Sequence, residues 1–146
     1  MCGIIAVLRR PSLRPPPELN SVLARLDPAP DHLVAAMSDI ESGATCSPAA
    51  LVAIVEQLES VDRELRGVPG VACLLSWPDL AGVERLAVRA DQLARLVVTL
   101  DQALDAGMVS WPPESLEELS AVVIRLRDVI WALRNDRTTM ARAVAA

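Results

Sequence analysis

The apolar and polar positions of the chain change their period once. Cys2-Gly3-Ile4-Ile5-Ala6-Val7-Leu8 is a continuous apolar run stopped by Arg9-Arg10-Pro11, the pattern of a β-strand buried on both faces. Pro11 to Pro17 predicts an extended proline-rich linker that carries Arg14. From residue 18 onward the apolar residues recur at intervals of three and four, and each segment predicts a helix. The expected helices cover about 18–26, 31–41, 48–66, 79–106 and 114–145. Asp27-Pro28-Ala29-Pro30 should stop the first, with Asp31 as the N-cap of the second. Ser47 is expected to cap the third, with Pro48 at its first position. Gly67 to Pro78 predicts a break, Asp79 a helix start, and Trp111-Pro112-Pro113 a rigid corner.

Three of these segments carry stripes at a period near 3.5 residues: Leu51, Ile54, Leu58, Val61 and Leu65; Val83, Leu86, Ala90, Leu93, Val97, Leu100 and Leu104; and Leu116, Leu119, Val123, Leu126, Ile130 and Leu133, continuing through Met140 and Val144. Short connections favour antiparallel neighbours. The expected fold class is mostly α, an antiparallel set of helical hairpins or a bundle with heptad-like stripes, plus one N-terminal β-strand lacking partners in the chain. Residues 1–10 form the strand, 11–17 the linker and 18–146 the helical module. A lone strand leaves its backbone hydrogen bonds unmade, so the remainder of a longer chain or another subunit is expected to complete its sheet. Self-association into a homo-oligomer through the stripes is a further expectation.

Composition narrows this reading. The 146 residues suit one compact domain, and a hydrophobic share of 52% is too high for a disordered chain. There are three Trp but no Phe or Tyr, so the core must be aliphatic. All 14 basic residues are Arg, and they are interspersed among 19 acidic ones for a net charge of −5. No basic stripe emerges, which argues against nucleic acid as a partner. No apolar run approaches the roughly 18 residues of a membrane span. Cys2 to Leu8 is too short for a secretory signal, and its charges follow the apolar run instead of preceding it. A cytoplasmic protein that does not enter a membrane is therefore expected. Three cysteines without CxxC spacing and a single histidine support neither a disulfide framework nor a metal site, and no cofactor is implied.

The candidate catalytic residue is Cys2. Removal of Met1 would make it the N-terminal residue, with nucleophile and base together: an α-amine of pKa roughly 8 can take the thiol proton directly or through water. Gly3 allows a ligand or another backbone to approach closely. Other residues carry less chemistry. Cys46 and Cys73 read as small buried or half-exposed residues, and His32 as a surface residue. Arg125, Arg127, Arg134 and Arg137 read as solvated pairs with Glu117, Glu118, Asp128 and Asp136 on the same helix. Trp77, Trp111 and Trp131 read as core packing, ahead of the alternative that they cluster as anchors where helices meet or at a partner surface.

The opening Met1-Cys2-Gly3-Ile4-Ile5-Ala6-Val7 resembles the N-terminus of class II glutamine amidotransferases, the N-terminal-nucleophile hydrolases, and most of all the glucosamine-6-phosphate synthase type. The resemblance covers seven to ten residues. It implies that the Cys2 thiolate attacks the side-chain amide of the substrate glutamine, releases ammonia and forms a γ-glutamyl thioester that water hydrolyses. In that family the ammonia travels to a synthase domain, which in the glucosamine branch aminates fructose 6-phosphate. The family's Arg-Gly-x-Asp-Ser-x-Gly glutamine-binding segment is absent, and neither Asn20 nor Asn135 is followed by the Gly of its oxyanion-hole pair. The expectation is thus the N-terminal portion of a longer enzyme, its first strand followed by an inserted helical region. The competing reading is a non-catalytic helical module for protein interaction or oligomerisation.

Overall fold

A computed structural model describes residues 13–146, and the fold is mostly α. The strand expected over 1–10, the first linker residues and Cys2 lie outside the described residues. Leu13 to Pro17 has no regular structure. Seven α-helices follow: α1 Leu19–Leu26, α2 Ala29–Glu41, α3 Ala49–Glu64, α4 Gly67–Leu74, α5 Ala81–Asp105, α6 Pro113–Trp131 and α7 Thr138–Ala145. A 3-10 turn, Pro78–Leu80, precedes α5, and a π-helical segment, Ala132–Arg137, joins α6 to α7.

Leucines at seven-residue spacing make the centre of the core. Leu51, Leu58 and Leu65 from α3 and its C-cap, Leu86, Leu93 and Leu100 from α5, and Leu119, Leu126 and Leu133 from α6 and the π segment are all fully buried. A seven-residue repeat keeps one seam of a helix facing its neighbours over several turns, and here α6 packs against both α3 and α5, as does α2. The stripes are thereby used within the chain. Arg127 pairs with Asp101, Arg134 with Asp91 and Arg142 with Glu84, so rising numbers after residue 113 meet falling numbers along α5. That order makes α5 and the C-terminal helical run an antiparallel hairpin. α1 and α2 complete the core with Leu19, Val22, Leu23 and Leu26, and with Leu33, Ala36, Met37 and Ile40.

The helix boundaries depart from expectation at four places. α2 starts at Ala29, and Asp31 sits in its first turn instead of capping it. Pro30 is tolerated there because a first-turn N–H has no intrahelical acceptor in any case. α3 starts at Ala49, whose N–H donates to Ser47 Oγ at 3.3 Å, so Ser47 caps from one residue further out than expected.

The predicted break at Gly67 to Pro78 contains α4. Pro69 lies in its first turn, and the chain folds back so closely that a Cβ on Gly70 would stand 1.9 Å from the Leu65 carbonyl oxygen. Residues that resemble helix breakers are here what a helix start and a tight corner require. Asp79 does not begin α5: it and Leu80 hold left-handed backbone, φ 54° and 58°, and the helix starts at Ala81. Gly107, φ +67°, ends α5 with Gly107 N–H donating to Leu104 O and Met108 N–H to Ala103 O, both at 3.0 Å, a Schellman ending.

The C-terminal stripe also shifts. Beyond Leu133 the buried positions are Thr138 and Ala141, whereas Met140 and Val144 are 46% and 64% exposed. The wide π turns take up about one extra residue, which rotates Met140 and Val144 off the seam. Asp62 fixes that segment: its side chain is 4% exposed, Oδ1 accepts Arg137 Nε at 2.8 Å, and Oδ2 accepts Arg66 Nε and Nη2 at 3.0 and 2.6 Å. A buried carboxylate is tolerable only with such cations around it.

Leu126→Ala should destabilise the chain by about 2–5 kcal/mol, since a buried leucine leaves a cavity. Ile124→Ala, on the exposed side of the same helix, should change stability by no more than about 0.5 kcal/mol. Urea unfolding followed by far-ultraviolet circular dichroism measures both.

Candidate functional site

Two regions are the candidates for chemistry or recognition: the N-terminal segment with Cys2, which lies outside the described residues, and the face where α5 meets α6. The first is joined to the bundle through Arg14. Its guanidinium donates to the carbonyls of Arg63 (2.9 Å), Glu64 (3.0 Å) and Arg66 (2.7 Å), at the C-terminal end of α3. Arg63 and Glu64 close α3, where the helix dipole favours a cation, and Arg66 is the N-cap of α4; the Arg63 carbonyl also accepts Arg66 N–H at 3.4 Å. The linker is therefore tied down at residue 14. Beside this cap, Arg25 Nη1 and Nη2 donate to Glu64 Oε1 and Oε2 at 2.7 and 2.6 Å.

The other candidate nucleophiles are placed unfavourably. Cys73 is buried on α4, and desolvation, with the Glu64 charge adding, pushes its thiol up from 9.0 to about 11. It is a neutral thiol at physiological pH and a poor nucleophile. Cys46 is exposed in the loop before α3. His32 is on the surface of α2, as expected, at the edge of a shallow groove that it shares with Asp39, Ala53, Ile54 and Gln57. Among the described residues no group of three or more His, Cys, Asp or Glu side chains is arranged to hold a metal ion.

The arginines near the C-terminus are paired, but not with the carboxylates expected from sequence. Arg125 binds Glu59 on α3, Arg127 and Arg134 bind Asp101 and Asp91 on α5, and Arg137 binds Asp62. Among the described residues Glu117, Glu118, Asp128 and Asp136 make no ion pair. Spacing along one helix reveals its own faces only. The true partners belong to neighbouring helices.

The tryptophans divide three ways. Trp111 is buried at the α5–α6 corner, where its Nε1 finds no hydrogen-bond partner among the described residues. Trp77 is half-buried against the core. Trp131 is 59% exposed, which corrects its expected place in the core. It lies about 100° round the helix from Ile130, off the leucine seam, and that position was readable from the sequence. It borders a groove of about 270 Å³ with Ala94, Val97, Val98, Ile130 and Asn135. A second cavity, about 310 Å³, adjoins it between Asp91, Ala94, Arg95, Val98 and Arg134. Val98 and Ile124 are each 55% exposed.

No family model, curated protein or solved structure matches the chain. Among the described residues no helix is long and apolar enough to cross a membrane.

Two carboxylates link the fold to pH. Hydrogen bonds from Arg85, and with them those from Arg89, hold Asp27 below its ordinary value of 3.8, and the Arg25 fork holds Glu64 below 4.5. A carboxylate whose pKa is lower in the folded state contributes stability that is complete above its unfolded value and is lost as pH falls through the folded value. Unfolding midpoints in urea should thus hold steady from pH 7 to about 5 and decline below about 4.5. Asp27→Asn combined with Glu64→Gln should flatten that decline, and an equally steep acid limb in the double variant would contradict the assignment.

Proposed function

We propose that the chain is the nucleophile-bearing N-terminal portion of a class II glutamine amidotransferase of the glucosamine-6-phosphate synthase-like kind, followed by a helical docking module. The observation that carries this reading is the Met1-Cys2-Gly3-Ile4-Ile5-Ala6-Val7 opening. The placement of the other thiols supports it: Cys73 is buried and protonated, and Cys46 has no adjacent base in sequence. Cys2 needs no histidine. After Met1 is removed, its α-amine accepts the thiol proton, the thiolate attacks the glutamine side-chain carbonyl, and the amine returns the proton to the departing ammonia. Water then hydrolyses the γ-glutamyl thioester to glutamate, and the ammonia serves to aminate a sugar phosphate. The oxyanion donors, each worth roughly 3–4 kcal/mol in such reactions, come from segments outside this chain.

A second reading has its own support. The exposed Trp131 beside an apolar groove suits a helical module that works by protein interaction alone.

Intact mass separates the two most simply. The amidotransferase reading expects loss of Met1 and, in the longer protein that supplies the glutamine-binding and oxyanion segments, a single adduct on Cys2 from a glutamine-like alkylating agent. That adduct should disappear in Cys2→Ala and persist in Cys46→Ala. Retention of Met1, or an adduct that follows Cys46, would sink it.

A further inference from the structure

The last helical run packs the wrong side chains inward. Counting on from Leu119 by four and three gives Val123, Leu126, Ile130 and Leu133, and all five are buried. The same count then reaches Arg137, Met140 and Val144. None of these three takes the next buried place. Thr138 and Ala141 do, each one residue late, while Met140 and Val144 face outward. Two apolar side chains are thus exchanged for a threonine and an alanine, the reverse of what burial favours.

Arg137 explains the exchange. It is the one charged residue on that stripe, and an unbroken α-helix would set it where Thr138 lies, in line with the leucines. A guanidinium in an aliphatic seam is a buried charge, and its cost exceeds that of two exposed apolar groups. The π segment, Ala132–Arg137, absorbs one residue and moves Arg137 aside, where its Nε donates to Asp62 Oδ1 at 2.8 Å. Thr138 suits the vacated place because its hydroxyl donates to the Arg134 carbonyl and needs no other partner.

We infer that the C-terminal run is written for two registers, and that Arg137, clamped by Asp62, locks it in the π register. In the other register α6 continues into α7 as one α-helix, and α7 is turned by about 100°. Met140 and Val144 then join the leucine seam, and Thr138 and Ala141 lose their buried places. The lock therefore decides whether α7 shows solvent an apolar pair or withdraws it. It does not depend on the role of Cys2.

Oxidation of the full chain by hydrogen peroxide, read methionine by methionine by peptide mass mapping, tests this. Met108 is 63% exposed and Met37 is 7% exposed, so they report an open and a closed site in the same sample. In the parent, Met140 should oxidise within about threefold of the rate of Met108. Arg137→Leu makes the stripe apolar throughout, and Met140 should slow at least about tenfold relative to Met108. Asp62→Asn combined with Arg137→Leu avoids a stranded carboxylate and should protect Met140 equally. Arg137→Lys keeps the charge and should leave Met140 reactive. Met140 as reactive as Met108 in both leucine variants, with Met37 still protected, would overturn the inference. So would Met37 becoming reactive in both, since Arg137 would then hold the fold and not the register.

Discussion

The structure depends on three leucine seams that have to be packed simultaneously. With no Phe or Tyr to fill space, the interior is closed by aliphatic side chains, and nine leucines at seven-residue spacing on α3, α5 and the C-terminal run supply its centre. Burial of one such side chain is worth roughly 1.5–3 kcal/mol, but only where its neighbours are already in place. α3 and α5 do not pack on each other directly; α6 and α2 each pack against both and close the space between them. The shorter helices are arranged around that frame: α1 and α2 close one flank, and α4 turns tightly at Gly70 to reach the core with Cys73 and Leu74.

Electrostatics sets the alignment of this bundle more than its strength. The pairs Arg127–Asp101, Arg134–Asp91 and Arg142–Glu84 run in antiparallel order along the hairpin and are largely solvated, where such pairs contribute little. Asp62 is different. A carboxylate buried beside the leucines of α3 requires cations, and Arg66 and Arg137 reach it from two directions. That requirement holds the π segment against α3 and so decides which side of the last helix faces inward. Arg14 does comparable work at the α3–α4 turn, where its guanidinium spans three carbonyls and ties the linker to the bundle.

The leucine repeat was legible in the sequence because the pattern is itself the packing: residues seven apart share a face whatever the tertiary context. α4 was hidden, since Gly67, Pro69 and Gly70 look like loop formers until the first turn and the close approach to Leu65 are seen. The outward turn of Met140 and Val144 had no local signal, because nothing in Ala132 to Arg137 announces a wide turn. The arginine partners were misplaced for a related reason, as one-dimensional spacing cannot name a neighbouring helix. Of the candidate site, the Cys2 motif lies outside the described residues. The exposed face was readable from the position of Trp131 beside Ile130, one step round the helix from the leucine seam.

A bundle closed by three interdependent seams should open as one unit, which makes it a rigid support for whatever its N-terminal segment and outer face do. Native-state amide hydrogen exchange on the full chain tests this most directly. Slow amides in Leu51 to Leu65, Leu86 to Leu100 and Leu119 to Leu133 should share one opening free energy, equal to that of global unfolding. Any one of the three segments opening at a distinctly lower free energy, while the other two stay protected, would contradict it.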